Sequence, residues 1–243
     1  MKKVLFLVLS IIWFACANNE EGKLPPPPAV IMVPHAADTS DIENGTDAIP
    51  DEKAIQVQWY DMDDPNIRYY NIYRKGESET FFSRIGRINL DNAIPPFDTT
   101  YIDNDIKLQV YVYYEYYVTA TNKDEIEGPV PDSVEAKYML TEKAITSLPV
   151  GSISGIPEFH WSFPQDIPDR YILRIEEEFT KKLHFVRTFP SEYIRDKILD
   201  LANVPNVPPF SSNVSYQWRI DCIGDSDPET SGSESEWKTF FIQ

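Results

Sequence analysis

The sequence predicts an all-β chain built of two tandem β-sandwiches, and three observations support this. Short apolar runs alternate with polar residues at a period of two, as in strands with one buried face. The same order of aromatic strands occurs twice along the 243 residues. The composition is also typical of β-structure, with 14 Tyr, 13 Phe and 20 Pro against only 9 Gly.

The charge and composition exclude two classes of protein. The chain has 39 acidic and 22 basic side chains, and its formal net charge is −17. Phosphate binding requires clustered Lys and Arg, so we expect no nucleic-acid partner. Hydrophobic residues make up 42% of the chain and aromatic residues 13%, which excludes a wholly disordered protein.

Residues 1–16 are predicted to be a targeting segment, separate from the folded part. Two lysines precede an apolar run at residues 4–15, which is too short to span a bilayer of about 30 Å as a helix. Cys16 follows directly, and the chain then becomes polar. This arrangement resembles the signal peptide and lipobox of a bacterial lipoprotein, in which the cysteine is lipidated. The resemblance implies a lipid anchor on Cys16 and a place in the bacterial cell envelope, at the outer membrane or cell surface.

A second interpretation of this segment stays open. Ala15-Cys16-Ala17 also fits the small-x-small rule for ordinary signal cleavage, which would release a soluble secreted or periplasmic protein. Trp13 and Phe14 stand where small residues are usual in the lipobox. The position of Cys16 at the end of the apolar run favours lipidation.

Residues 17–28 predict a polar, proline-rich tether. Polar residues lead into four consecutive prolines, Pro25 to Pro28, which favour a stiff polyproline II spacer. We expect one sandwich at residues 29–140 and a second at residues 144–243.

The first sandwich is predicted from four alternating runs separated by turn signals. Their buried positions are Ile55, Val57 and Trp59; Tyr70 and Ile72; Tyr114, Tyr116, Val118 and Ala120; and Val134, Ala136 and Tyr138. Short strands of this kind are typical of a sandwich or barrel.

The second sandwich is predicted because the spacing repeats. Trp59 precedes Tyr114 by 55 residues, and Trp161 precedes Tyr216 by the same 55 residues. A shorter tyrosine strand follows the two tryptophans after 11 and 10 residues. Matching spacings in the same order indicate two copies of one module.

The first copy resembles a fibronectin type III domain. That family has a core tryptophan at the end of strand B, as at Trp59, and a tyrosine-x-aliphatic strand C, as at Tyr70-x-Ile72. Its strand F begins with a corner tyrosine, which Tyr114 matches. The resemblance implies immunoglobulin-like β-sandwiches, and the second copy is a looser match. One departure is the long acidic stretch at residues 34–53, where the family has a short connection.

The second copy also predicts a short helix, within residues 191–205. Ser191 is placed to cap it, and Ile194, Ile198 and Leu201 fall on one face at i, i+4 and i+7. We expect about two to three turns across one end or edge of the second sandwich.

Four tyrosines are the candidate binding residues. Where alternate residues of strands C and F face the core, the opposite phase faces outward, and it holds Tyr69, Tyr73, Tyr113 and Tyr117. Tyrosine is enriched at binding surfaces. Cross-strand aromatic pairing and burial against the other sandwich explain the pattern equally well. In the second copy the same positions hold Ile172, Arg174, Gln217 and Arg219.

No catalytic or metal motif is found in the sequence. The three histidines lie far apart, and no HExxH or paired-cysteine spacing exists. The acidic loops fit solvated loops better than calcium sites, which need 6–8 oxygen ligands. Cys222 alternates with apolar residues and is expected to be a buried structural thiol. We expect no enzyme activity, no cofactor and no metal.

The expected function is non-catalytic protein binding or assembly at the cell envelope, through sheet faces and loops. The expected partners are a membrane, through the lipid on Cys16, and an envelope or surface protein. The alternative is an accessory module that binds carbohydrate or another polymer for separate enzymes.

Overall fold

The described part of the chain is all-β, as predicted. The computed structural model describes residues 22–91, 99–131, 136–224 and 230–243. In these ranges the regular structure is β-strand with a single 3-10 turn. No helix in these ranges is long and apolar enough to cross a membrane. The targeting segment and Cys16 lie outside the described residues.

The first sandwich consists of two facing antiparallel sheets. Its strands in chain order are β1 (Asp47–Ala48), β2 (Ile55–Gln58), β3 (Ile67–Gly76), β4 (Ser83–Asn89), β5 (Thr100–Asp103), β6 (Tyr113–Asn122) and β7 (Ala136–Leu140). One sheet has the order β1-β2-β5, and the other has the order β4-β3-β6-β7. The second order is the one that the fibronectin type III resemblance implies for strands C and F, because β3 and β6 are neighbours.

The second sandwich repeats this plan. Its strands are β8 (Ile145–Leu148), β9 (Gly151–Ile153), β10 (Glu158–Ser162), β11 (Arg170–Glu177), β12 (Leu183–Pro190), β13 (Asp196–Asp200), β14 (Ser215–Ile223), β15 (Ser231–Glu234) and β16 (Lys238–Ile242). One sheet has the order β13-β10-β8. In the other, β14 pairs with β11, β15 and β16.

Each sandwich has its own hydrophobic core, built from the alternating residues. In the first, Trp59 packs on Tyr70 with ring centroids 5.3 Å apart, and in the second Phe159 packs on Trp218 at 4.8 Å. These aromatic contacts join the two sheets of each sandwich and bury large apolar areas.

A tyrosine corner closes each sandwich in the same way. The hydroxyl of Tyr114 accepts a hydrogen bond from the backbone N–H of Gln109 at 3.0 Å. The hydroxyl of Tyr216 accepts one from the N–H of Ser211, also at 3.0 Å. In both cases the donor lies five residues upstream, so the two copies share this device as well as their strand order.

The helix expected in the second sandwich is wrong. The segment forms β13, which pairs with β10, and one 3-10 turn follows at Leu201–Asn203. Ser191 caps no helix: its Oγ accepts a hydrogen bond from the N–H of Tyr193 at 3.2 Å, within a turn. Ile194 and Ile198 are exposed, so the expected apolar helix face does not exist.

One sheet passes through both sandwiches. β15 of the second sandwich pairs in parallel with β7 of the first, which joins the strands into a ten-stranded sheet. The N–H of Thr141 donates to the carbonyl of Gly232 at 3.3 Å, and the hydroxyl of Ser233 donates to the carbonyl of Thr141 at 2.7 Å. The residues between the two sandwiches are therefore held within the sheet.

The described part of the proline run lies against the first sandwich. The Asn122 side chain donates to the carbonyl of Pro25 at 2.9 Å, and the carboxylate of Asp124 accepts from the N–H of Leu24 at 2.6 Å. Pro27 is buried. Residues 24–27 are thus bound to the sandwich and are not a detached spacer.

Candidate functional site

The four predicted tyrosines lie on the outer face of the sheet β4-β3-β6-β7, which we call the tyrosine face. Tyr73 and Tyr117 are direct cross-strand neighbours, and their rings stack with centroids 4.7 Å apart at an angle of 17°. Tyr69 is paired with Thr121 towards one end of the face. Tyr113 is paired with Met139 at the other end. The structure therefore brings two of the four tyrosines together.

The stacked pair is held in place by its neighbours. Phe82 packs on Tyr117 at 4.7 Å, and Tyr117 is only 8% exposed. The hydroxyl of Tyr73 donates to the carboxylate of Glu127 at 2.8 Å, and Thr119 donates to the same carboxylate. Burial, together with this hydrogen bond, raises the pKa of Tyr73 to about 12. The pair is a cross-strand aromatic pair with fixed rings.

Basic side chains surround the stacked pair. The guanidinium of Arg87 lies 4.4 Å from the ring centre of Tyr69, and the ammonium of Lys137 lies 4.0 Å from that of Tyr113. Arg84 is paired with Tyr73 across β3 and β4. Arg84, Arg87 and Lys137 are exposed. The tyrosine face therefore combines aromatic and basic groups on a strongly acidic chain.

Two arginines occupy the equivalent place in the second sandwich. Arg174 on β11 and Arg219 on β14 are direct cross-strand neighbours, as Tyr73 and Tyr117 are in the first. Only 2% of Arg174 and 3% of Arg219 is exposed. Fully buried arginines require partners, since an unpaired buried charge is strongly unfavourable.

These arginines are covered by the acidic segment, residues 34–53 of the first sandwich. The guanidinium of Arg174 donates to the backbone carbonyls of Ser40 at 2.8 Å and Asp41 at 3.0 Å. The guanidinium of Arg219 donates to the carboxylate of Glu43 at 2.6 Å. The long connection that departs from the fibronectin pattern is thus the contact between the two sandwiches.

Arg219 bonds to three carboxylates at once. Besides Glu43, it contacts Asp221 at 2.7 Å and also Glu234. Burial raises the pKa of Glu43 to about 7 and that of Asp221 to about 6, although the charge of Arg219 lowers both. Burial also raises the pKa of Glu234 well above its usual range. The site therefore holds more negative charge than one guanidinium neutralises.

A second group of titratable side chains lies in the same segment, and we call it the histidine cluster. It consists of His35, Asp38 and Asp47, with one potential ligand atom from each within 4.8 Å of the others. Burial opposes the charged form of His35, but the neighbouring carboxylates outweigh it and raise its pKa. Burial, reinforced by Asp38, raises the pKa of Asp47 to about 7.

Gly45 is required where the acidic segment folds back on itself. Its φ is +93°, and a Cβ there would lie 2.6 Å from the carbonyl oxygen of Pro34 and 2.7 Å from the Cα of His35. We expect Gly45→Ala to lower the free energy of unfolding by about 2–3 kcal/mol, because the strained φ and the backbone clash add together. Urea unfolding monitored by tryptophan fluorescence measures this change.

Gly155→Ala is the matched control for this prediction. Gly155 has a similar φ of +85°, but nothing lies within 4 Å of a Cβ placed there. The control therefore introduces the strain without the clash and should cost only about 1 kcal/mol. Equal losses for the two variants would show that the close approach of Gly45 to His35 is unimportant.

The sequence analysis missed the acidic segment as a contact and missed the histidine cluster. Two signals were present in the sequence: the segment is longer than the resembled family requires, and arginines stand at two of the outward positions. Neither signal says where the segment lies, which depends on the pairing of β7 with β15.

The other sequence-predicted groups have simpler placements. Cys222 is buried, and burial raises the pKa of its thiol to about 12, which suits a structural cysteine. In the first sandwich Asp124 binds the N–H of Leu24, and Glu125 pairs with Arg68. The acidic residues at 225–229 lie outside the described part of the chain.

Comparison with known proteins gives distant structural likenesses only. No family model matches the chain, and no curated protein matches it. The chain is similar to the FN1–FN3 domains of chicken CNTN1 at 16% identity and a TM-score of 0.37, covering 88% of this chain and 67% of that one. It is also similar to a chain of a cytokine receptor complex at 10% identity and a TM-score of 0.34, covering 79% and 90%. Both likenesses are too weak to support an argument, so the fold is argued from the strand order and the two tyrosine corners.

Proposed function

We propose that this protein is a non-catalytic binding module, whose tyrosine face receives an acidic segment of a partner protein. The observation that supports this most directly is internal to the chain. In the second sandwich, the equivalent face around Arg174 and Arg219 is filled by an acidic segment. In the first sandwich, the same face presents exposed basic groups, including Arg84 and Arg87.

The chemistry of the tyrosine face suits such a partner. Exposed guanidinium groups at Arg84 and Arg87 can each bind a carboxylate with two parallel hydrogen bonds. Tyr73 and Tyr117 are already fixed by stacking, so binding costs little side-chain entropy. The net charge of −17 repels an acidic partner from the rest of the surface, which confines association to this face.

The alternative, a carbohydrate-binding module, is less well supported. Sugar recognition by tyrosine uses an open ring face. Here Tyr73 and Tyr117 stack on each other, Phe82 packs on Tyr117, and Arg87 lies over Tyr69. These contacts leave ring edges and basic groups for a partner, which favours a protein.

A non-catalytic role also agrees with the cleft at one end of the second sandwich. This cleft has a volume of about 560 Å³, and its walls include Ile156, Val207, Phe210 and Ile242. Its lining contains no titratable side chain, so it offers neither a nucleophile nor a general base. We further propose that lipid on Cys16 holds the module at the bacterial cell envelope, which rests on the sequence signal alone.

Charge reversal on the tyrosine face tests the proposal. Arg84→Glu combined with Arg87→Glu should reduce capture of an envelope protein by roughly tenfold or more, because an acidic partner is then repelled. A photo-reactive residue at position 69 of the full chain, activated in intact cells, measures the capture by cross-link yield.

The control reverses two charges on another part of the first sandwich. Lys53→Glu combined with Lys107→Glu makes the same change in net charge at exposed positions, and capture should be unchanged. Equal loss with both pairs would contradict recognition at the tyrosine face. Saturable glycan binding by the full chain, retained after the arginine reversals, would favour the carbohydrate alternative.

A further inference from the structure

Buried negative charge exceeds buried positive charge where the two sandwiches meet. Two buried guanidinium groups, those of Arg174 and Arg219, face carboxylates from both sandwiches. The carboxylates belong to Asp38, Glu43, Asp47, Glu176, Asp221 and Glu234. Charges removed from water require compensation by a counter-charge or a proton.

The arginines account for only some of these carboxylates. Glu43 contacts both guanidinium groups, and Glu176 contacts Arg174 at 2.7 Å. Asp221 and Glu234 contact Arg219. Among the described residues, the carboxylates that bond to neither arginine are those of the histidine cluster, so an additional cation is most needed there.

Asp38 supplies a second and independent observation. Only 5% of this residue is exposed, and its buried Oδ1 has no hydrogen-bond partner among the described residues. The same oxygen lies 3.3 Å from Nε2 of His35, without the geometry of a hydrogen bond. Two ligands bound at about 2.1 Å in a tetrahedral site lie about 3.4 Å apart. The two atoms are therefore spaced as ligands of one ion are.

We propose that His35, Asp38 and Asp47 bind one divalent transition-metal ion, of which Zn²⁺ is the representative. One imidazole nitrogen and two carboxylate oxygens are a ligand set that suits Zn²⁺ or a similar ion. Calcium is disfavoured because it takes oxygen ligands and needs 6–8 of them. The three protein ligands leave a further position for water.

The site differs from the tyrosine face in place and in role. Asp47 belongs to β1, whereas His35 and Asp38 belong to the acidic segment that covers the second sandwich. An ion shared by the three residues ties this segment to its own sandwich. The role is structural, so metal binding and the stability of the fold are coupled. This inference stands whether or not the tyrosine face binds a partner.

Zinc binding to the full chain is the test. After treatment with a chelator and dialysis, titration calorimetry with Zn²⁺ should give one ion per chain, with Ca²⁺ as the negative comparison. Zinc should also raise the midpoint of thermal unfolding. His35→Gln and Asp38→Asn should each weaken binding by roughly tenfold or more, because each removes one ligand.

Glu43→Gln is the matched control, because it removes a buried acid of the same segment that is bonded to Arg219. It should leave one zinc site of unchanged affinity. Near-ultraviolet circular dichroism confirms that each variant is folded. X-ray absorption of the zinc-loaded wild-type chain gives a readout that needs no variant, and it should show imidazole and oxygen ligands.

Three outcomes would overturn the proposal. The first is a folded wild-type chain that binds no zinc, which would assign the missing positive charge to a proton on His35. The second is zinc binding that His35→Gln and Asp38→Asn leave unchanged. The third is an absorption spectrum with no imidazole ligand.

Discussion

Replacing Arg219 with alanine is expected to lower the free energy of unfolding at pH 8 by about 3–5 kcal/mol. The guanidinium bonds to Glu43, Asp221 and Glu234, and all four groups are mostly or fully buried. Its removal leaves three carboxylates in a poorly solvated place without their main cation. Chemical denaturation at pH 8, followed by tryptophan fluorescence, measures the loss.

The same variant should have a smaller defect at pH 5. In the wild type, burial raises the pKa of Glu43 from its ordinary 4.5 to about 7. The folded state therefore binds more protons than the unfolded state between these values, and stability from this group falls as pH rises through that window. Without Arg219, whose charge lowers this pKa, the carboxylates hold protons more strongly when folded. At pH 5 they are largely neutral and the missing guanidinium matters less, by about 1 kcal/mol or more.

Arg84→Ala is the control, because it removes an exposed guanidinium and should change stability by less than about 0.5 kcal/mol at either pH. An Arg219→Ala defect of the same size at pH 5 and pH 8 would contradict the electrostatic explanation. It would instead indicate lost packing, since Arg219 also lies 4.6 Å from the ring centre of Trp237.

Trp218→Ala is expected to cost about 3–5 kcal/mol and to lower the unfolding midpoint of both sandwiches together. Trp218 is fully buried in the second core, packs on Phe159, and donates its indole N–H to the carbonyl of Pro149 at 3.0 Å. The continuous sheet and the acidic segment couple the two cores, so one cooperative transition is expected. Differential scanning calorimetry measures the number of transitions and their midpoints.

Phenylalanine variants provide the matched comparison. Trp218→Phe removes a satisfied buried hydrogen bond. Trp59→Phe removes an indole N–H that is buried without a partner among the described residues. The first should therefore cost more than the second, by about 1 kcal/mol. Two separate transitions in wild type, with only one moved by Trp218→Ala, would contradict the coupling of the sandwiches.

The strands were predictable because their signal is local. Period-two alternation at Ile55, Val57 and Trp59 reports which side chains are buried, and all three are. The repeat of spacing doubled this information, and the corner tyrosines Tyr114 and Tyr216 serve the same purpose in both copies. Patterns of this kind need no knowledge of distant residues.

The helix prediction failed because two periodicities overlap in one segment. Ile194 and Ile198 suggested a helical face, but Lys197, Leu199 and Leu201 also alternate at the strand period. Pairing of β13 with β10 adds backbone hydrogen bonds along the sheet, and it places Lys197 and Leu201 in buried positions. Tertiary pairing thus outweighed a local preference that short segments express only weakly.

The site was predictable only in part, for a related reason. Alternation alone places Tyr73 and Tyr117 outward and on neighbouring strands. The histidine cluster depends on a turn at Gly45 that returns the chain to His35, and on a second sandwich that buries the segment. Residues brought together by such long-range folding leave no fixed spacing in the sequence.

The strand pairing between β7 and β15 also determines how the protein presents what it binds. Tandem domains on a flexible linker point in many directions, whereas bending here would break sheet hydrogen bonds such as the one from Met139 N–H to the Thr230 carbonyl. Leu24 is fastened to the first sandwich through Asp124. A partner on the tyrosine face is therefore held at a set distance and bearing from the far end of the molecule. The two sandwiches act together as a rigid spacer.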